Sequence, residues 1–166
     1  MKFLIIGGTR FQGQFLVNEL LDSGHAVTVF HRGTNKISPR IGLTDMLGNR
    51  DTPSDLARLT GLQFDACIDT CAYVPNQISL LSSVLSTKNY CLISSVYAYS
   101  GQDKLVTEQA PVVHHPQSRT ILNGDNYGPL QALYEQDALI GFSRKRPMHR
   151  HTINKSRGYA TQRRHW

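Results

Sequence analysis

The stretch from Lys2 to Leu21, KFLIIGGTRFQGQFLVNELL, constrains the fold more than any other part of the chain. An apolar run, Phe3 to Ile6, is followed at once by glycines, and helical periodicity then begins. This is the pattern of a strand, a glycine turn and a helix. Glycines let the backbone turn tightly and come close to a pyrophosphate, while the first N–H groups of the next helix are unpaired and carry partial positive charge. The stretch therefore predicts a nucleotide site.

The remainder alternates strand-like and helix-like segments, which predicts right-handed βαβ units. The expected fold is α/β: a Rossmann-type parallel sheet with helices on both faces, truncated after about five strands. Strands are expected at Lys2 to Ile6, Ala26 to Phe30, Leu43 to Leu47, Phe64 to Thr70 and Tyr90 to Ser95. The first helix is expected from Phe11 to Ser23, with Phe11, Phe15, Leu16 and Leu20 on one face and Gly24 as its C-cap. Further helices are expected at Pro53 to Thr60, Pro75 to Leu85 and from near Asp125. Between Val96 and about Asn123 no long periodic segment occurs. A connection of that length, following a strand's carboxyl end, is expected to be functional or disordered.

With 166 residues, 40% of them hydrophobic, the chain has material for one domain with a core. Cys67, Cys71 and Cys91 are odd in number, lie in apolar segments and match no usual zinc or redox spacing. They are expected as core thiols in a reducing, cytoplasmic setting, with no metal site. His114 and His115 lack a carboxylate or cysteine at ligand spacing and are expected as loop residues. No signal-peptide pattern and no apolar run of membrane-span length occurs. The net charge of +6 is unevenly placed: residues 137–166 hold eight of the 18 Lys and Arg but one of the 12 Asp and Glu. The division expected is therefore a dinucleotide-binding domain over 1–140 and a basic tail, disordered or aberrant, over 141–166.

GGTRFQG after the first strand, HRG (His31 to Gly33), GNRD (Gly48 to Asp51), ISSVYAYS (Ile93 to Ser100) and NYGPLQALYE (Asn126 to Glu135) together resemble the extended or atypical short-chain dehydrogenase/reductases. The closer resemblance is to bacterial NAD-dependent epimerase/dehydratases, and to the plant stem-loop RNA-binding branch with the GGTRF signature. It covers the N-terminal part, roughly residues 1–136. It implies a cofactor, NADP or NAD, around Gly7, Gly8, Thr9, Arg10, Phe11 and Gly13. Arg10 stands where the family has its central glycine, and its guanidinium suits a phosphate. Where NAD-preferring members place an acidic residue after the second strand, this chain has His31 and Arg32, which suits the 2′-phosphate of NADP. Arg50 and Asp51 resemble the stretch that meets the adenine, with helix capping as the alternative for Asp51. Thr70 to Tyr73, including Ala72, resemble the wall beside the cofactor.

The resemblance also implies catalytic positions. Ser95 falls on the substrate-orienting serine and Tyr127 on the proton-exchanging tyrosine. The lysine expected one helical turn on is Gln131. A phenol without a neighbouring cation is a poor base near neutral pH. Glutamine can still bond ribose hydroxyls, so cofactor binding is expected to survive while turnover is low or absent. The expected partners are a dinucleotide and a small-molecule substrate, a sugar nucleotide or related carbonyl compound, with no membrane. The alternative is a non-catalytic dinucleotide- or RNA-binding module, with the tail as a basic arm. Oligomeric state is left open.

Overall fold

In a computed structural model, which describes residues 1–100, 107, 110–113, 119, 120, 122, 126–143 and 153–156, the apolar runs form one parallel sheet. Its strands are β1 (Lys2–Ile6), β2 (Ala26–His31), β3 (Leu43–Leu47), β4 (Gln63–Asp69), β5 (Ser86–Ser95) and β6 (Ile153–Ser156), in the order β3-β2-β1-β4-β5-β6. The chain winds outward from β1 in one direction and returns at β4 to wind in the other. The strand order thus reverses between β1 and β4, where a doubly wound sheet opens a crevice at the carboxyl ends of its strands. In register, Ile6 pairs with Phe30 on one side and Asp69 on the other. Gly7, His31 and Thr70 therefore leave the sheet at one level.

Helices α1 (Phe11–Asp22), α2 (Pro53–Leu56), α3 (Pro75–Val84) and α4 (Tyr127–Ser143) cover both faces. On one face Val17 and Leu21 of α1 pack on Ile5, Val27 and Val29. On the other, Leu56, Ile78, Leu81, Tyr134 and Phe142 pack on Leu4, Ile6, Phe30 and Leu92. Each fully buried aliphatic or aromatic side chain of this kind contributes about 1.5–3 kcal/mol. The Tyr90 ring of β5 stacks on Phe142 of α4 at 3.8 Å between centroids, fixing the helix against the strand.

The face of α1 differs from expectation. Leu16 and Leu20 pack partly buried against the sheet as expected, but Phe11 and Phe15 are 88% and 68% exposed, and the buried residues of the helix are Gly13, Val17 and Leu21. Gly13 sets this: a Cβ there would lie 2.7 Å from the Cα of Gly8, so the helix sits directly on the turn. Val17 and Leu21 follow at four-residue intervals on the same side. The segment expected as one helix from Pro53 divides into α2 and a 3-10 turn, Ala57–Leu59. β5 begins at Ser86, earlier than expected, because its polar first residues pair with Gln63 to Ala66 of β4.

A larger difference is β6. The expectation was about five strands followed by a tail without structure, but Ile153–Ser156 pairs in parallel with Leu92 to Ser95. Backbone hydrogen bonding needs no apolar periodicity, which is why four polar-flanked residues can extend a sheet that composition gave no reason to extend. His114, His115 and most of the remaining basic tail lie outside the described residues. No helix among the described residues is long and apolar enough to cross a membrane.

Candidate functional site

Three turns meet where the strand order reverses. The glycine turn carries Gly7 to Arg10 into α1, whose first residue, Phe11, has φ +45°. Such a backbone costs a non-glycine residue about 1–2 kcal/mol. Arg10 is the N-cap, extended, and no side chain caps the helix. The first-turn N–H groups are thus not taken up by a capping side chain, the arrangement that receives anions. Thr70, past the end of β4, ties this turn down: its hydroxyl donates to the Ile6 carbonyl at 2.9 Å and accepts from the Gly8 N–H at 3.3 Å. The turn after β2 closes the third side, with Asn35 Nδ2 donating to Thr9 Oγ1 at 3.4 Å.

These turns enclose a cleft of about 700 Å³ lined by Gly7, Gly8, Thr9, Arg10, Phe11, Gln12, Gly13, His31, Arg32, Thr34, Asn35, Thr70, Cys71 and Tyr73. Of the positions expected to meet a cofactor, all but Arg50, Asp51 and Ala72 line it. Ala72 is 4% exposed and belongs to the core. Asp51 lines an adjoining hollow of about 110 Å³ that shares Arg32, Cys71 and Tyr73 with the cleft. It accepts from Gln77 Nε2 at 2.8 Å, whereas Thr52 is the N-cap of α2, so Asp51 is not the cap. Thr34 and Asn35 were not anticipated; their signal was the loop position after β2, at the edge where such sheets bind ligands. Burial pushes the Cys71 thiol up, which keeps it protonated and a weak nucleophile. Burial also raises the half-exposed Tyr73 phenol.

Arg50 also lines the hollow, but its charge is committed elsewhere. Its Nη1 and Nη2 donate to Asp69 Oδ1 and Oδ2 at 2.6 and 2.8 Å, and the Tyr90 hydroxyl donates to Asp69 Oδ2 at 2.8 Å. Burial alone would lower the Arg50 pKa, yet the Asp69 carboxylate outweighs it and holds the guanidinium above the ordinary arginine range. Asp69, the last residue of β4, is thus the buried anchor between β4, β5 and the loop after β3.

The expected catalytic positions cluster at the end of β5 and the start of α4. Ser95 Oγ accepts from the Tyr97 N–H at 3.3 Å. The Tyr97 and Tyr127 rings meet edge-on with centroids 5.8 Å apart. Helix α4 sits close there, since a Cβ on Gly128 would lie 2.3 Å from the Tyr97 carbonyl oxygen. Gln131 is 1% exposed, its side chain taken up inside the fold. Its Oε1 accepts from the Tyr134 hydroxyl and lies 3.4 Å from Ser94 Oγ, which donates to Glu135 Oε1 at 2.5 Å.

This is a doubly wound α/β fold with an anion-receptive glycine cleft at its switch point. No family model matches the chain. It is similar in structure to MoeE5 in complex with UDP-glucose and NAD, at 20% identity and a TM-score of 0.65, over 87% of this chain and 50% of that one. It is likewise similar to dTDP-glucose 4,6-dehydratase from Bacillus anthracis in complex with NAD, at 19% identity and a TM-score of 0.65, over 87% and 51% of the two chains. The chain thus has the fold of the dinucleotide-binding part of these proteins and spans about half their length. In sequence, 40 residues are 50% identical to the chloroplast stem-loop binding protein of 41 kDa b of Arabidopsis thaliana, covering 24% of this chain and 11% of that protein.

Proposed function

We propose that this chain binds a nicotinamide dinucleotide, NADP in preference to NAD, as the cofactor-binding part of an epimerase/dehydratase-like protein whose substrate is a sugar nucleotide or related carbonyl compound. The observation that carries the reading is the single cleft joining the glycine turn, the uncapped start of α1 and two arginines, Arg10 and Arg32. The backbone of Gly7 to Gly13 and the Arg10 guanidinium suit a pyrophosphate, and Arg32 suits a further phosphate. The NAD complexes of proteins with the same fold support the cofactor class. When bound, such a cofactor supplies hydride transfer. Turnover by this chain is low, because Gln131 offers no cation beside Tyr127 and its side chain faces the core.

Fluorescence titration with NADPH and NADH tests the reading. Saturable binding of at least one is expected; a folded protein that binds neither removes it. The 40-residue match to a plant stem-loop binding protein favours a second reading, RNA binding without catalysis. That reading requires RNA affinity that falls steeply as salt is raised.

A further inference from the structure

We propose that the pair His31–Asp45 is a positioning device that makes the cleft selective for a 2′-phosphorylated dinucleotide, by fixing the turn that carries Arg32. The inference rests on the dinucleotide reading above and adds to it the origin of the selectivity.

In dinucleotide folds an acidic side chain near the end of the second strand accepts the ribose hydroxyls, and an arginine nearby receives a 2′-phosphate. Here β2 ends in His31, 6% exposed, with both ring nitrogens occupied. The Gly33 N–H donates to Nδ1 at 3.1 Å. An Nδ1 that accepts has no proton, so Nε2 carries it and donates to Asp45 Oδ1 at 2.7 Å. His31 therefore has no free atom for a ribose, and the one carboxylate beside it points to the imidazole and is not among the residues lining the cleft.

The same contacts hold the turn. Gly33, whose N–H is held by His31, has φ +81°, the left-handed conformation in which the chain turns away toward Asn35. The Gly48 N–H donates to the His31 carbonyl at 2.8 Å, and Asn35 is bonded to Thr9 across the cleft. Arg32 is thereby bracketed between fixed points, exposed, and placed where the cleft and the adjoining hollow share a wall. On a fixed turn only the side-chain rotamers of the arginine are ordered when it takes up a phosphate, whereas on a loose turn the backbone must be ordered as well.

The experiment is titration of NADPH and NADH into the wild-type chain and into Arg32→Ala, Asp45→Ala and Asp45→Asn, with a thermal melt of each. The wild type is expected to bind NADPH about tenfold more tightly than NADH, the worth of one charge-assisted phosphate contact. Arg32→Ala abolishes the difference. Asp45→Ala lowers NADPH affinity by about fivefold while NADH affinity stays as it was, because only the 2′-phosphate contact depends on the turn. Asp45→Asn rescues NADPH binding, since its carboxamide oxygen still accepts from Nε2–H. The Asp45 side chain is 44% exposed on β3, and its removal leaves the core intact; Asp45→Ser carries the same reading should Asp45→Ala lose the fold. Equal loss for both cofactors, no change in either, or tighter binding of NADH by the wild type overturns the inference while the dinucleotide reading stands. Failure to bind either cofactor overturns both.

Discussion

Single residues set how close the glycine turn and α1 can come. Because a Cβ on Gly13 would stand 2.7 Å from backbone, Gly13→Ala must push the helix off Gly8. We expect a loss of about 1–3 kcal/mol in urea unfolding together with weakened NADPH binding. Gln131→Lys is the second decisive substitution. The new ammonium enters the pocket of Ser94, Tyr134 and Glu135 and finds the Glu135 carboxylate one turn along the helix. The variant is expected to fold, to bind NADPH as the wild type does and to remain inert in NADPH oxidation with sugar nucleotides; measurable turnover would show that the lysine escapes Glu135. At this scale the sequence was a partial guide. The residues of the glycine turn that line the cleft were legible because they are contiguous with the strand and helix that display them. The pairing of Arg50 with Asp69 was not, since the partners lie on different loops and strands and only the folded register brings them together.

Between elements, the buried group Arg50, Asp69 and Tyr90 joins β4, β5 and the loop after β3. Asp69→Ala leaves a guanidinium buried without its counter-charge, and a loss of about 3–5 kcal/mol is expected in chemical denaturation. Replacing both Arg50 and Asp69 by apolar residues of similar volume should recover most of it. The tyrosines add a pH dependence of definite sign. Burial, reinforced by the Asp69 charge, raises the Tyr90 phenol well above its ordinary value, and burial raises Tyr134 as well. A folded-state pKa above the unfolded one stabilises the protein fully at pH below the unfolded value. That contribution is lost progressively as pH rises from about 10 toward the folded value. Urea midpoints should therefore hold between pH 7 and 9 and fall beyond pH 10, less steeply in Tyr90→Phe. The strands and helices themselves were legible to within a few residues from apolar runs and glycines. The face of α1 was not, because hydrophobicity ranked Phe11 and Phe15 above Gly13, while contact distance selected Gly13.

For the whole molecule, ligand binding and stability are linked. A dinucleotide at about one hundred times its Kd adds about 2.7 kcal/mol to the folded state, which in a chain of this size raises Tm by about 5–11 °C. A scan with saturating NADPH should show a shift of that order, and none with free nicotinamide. The overall class was readable because strand-like and helix-like segments alternate, which leaves few topologies; β6 was not, because its pairing depends on backbone alone. The same topology orders events during synthesis. β1 is made before β4, yet the Lys2 N–H bonds the Asp65 carboxylate and Ile6 pairs with Asp69. The glycine turn gains its Thr70 tether only after β4 exists. On the ribosome, then, the glycine turn waits for a strand some sixty residues downstream, and the cleft takes its shape in a nascent chain only once β4 and the wall beyond it have emerged.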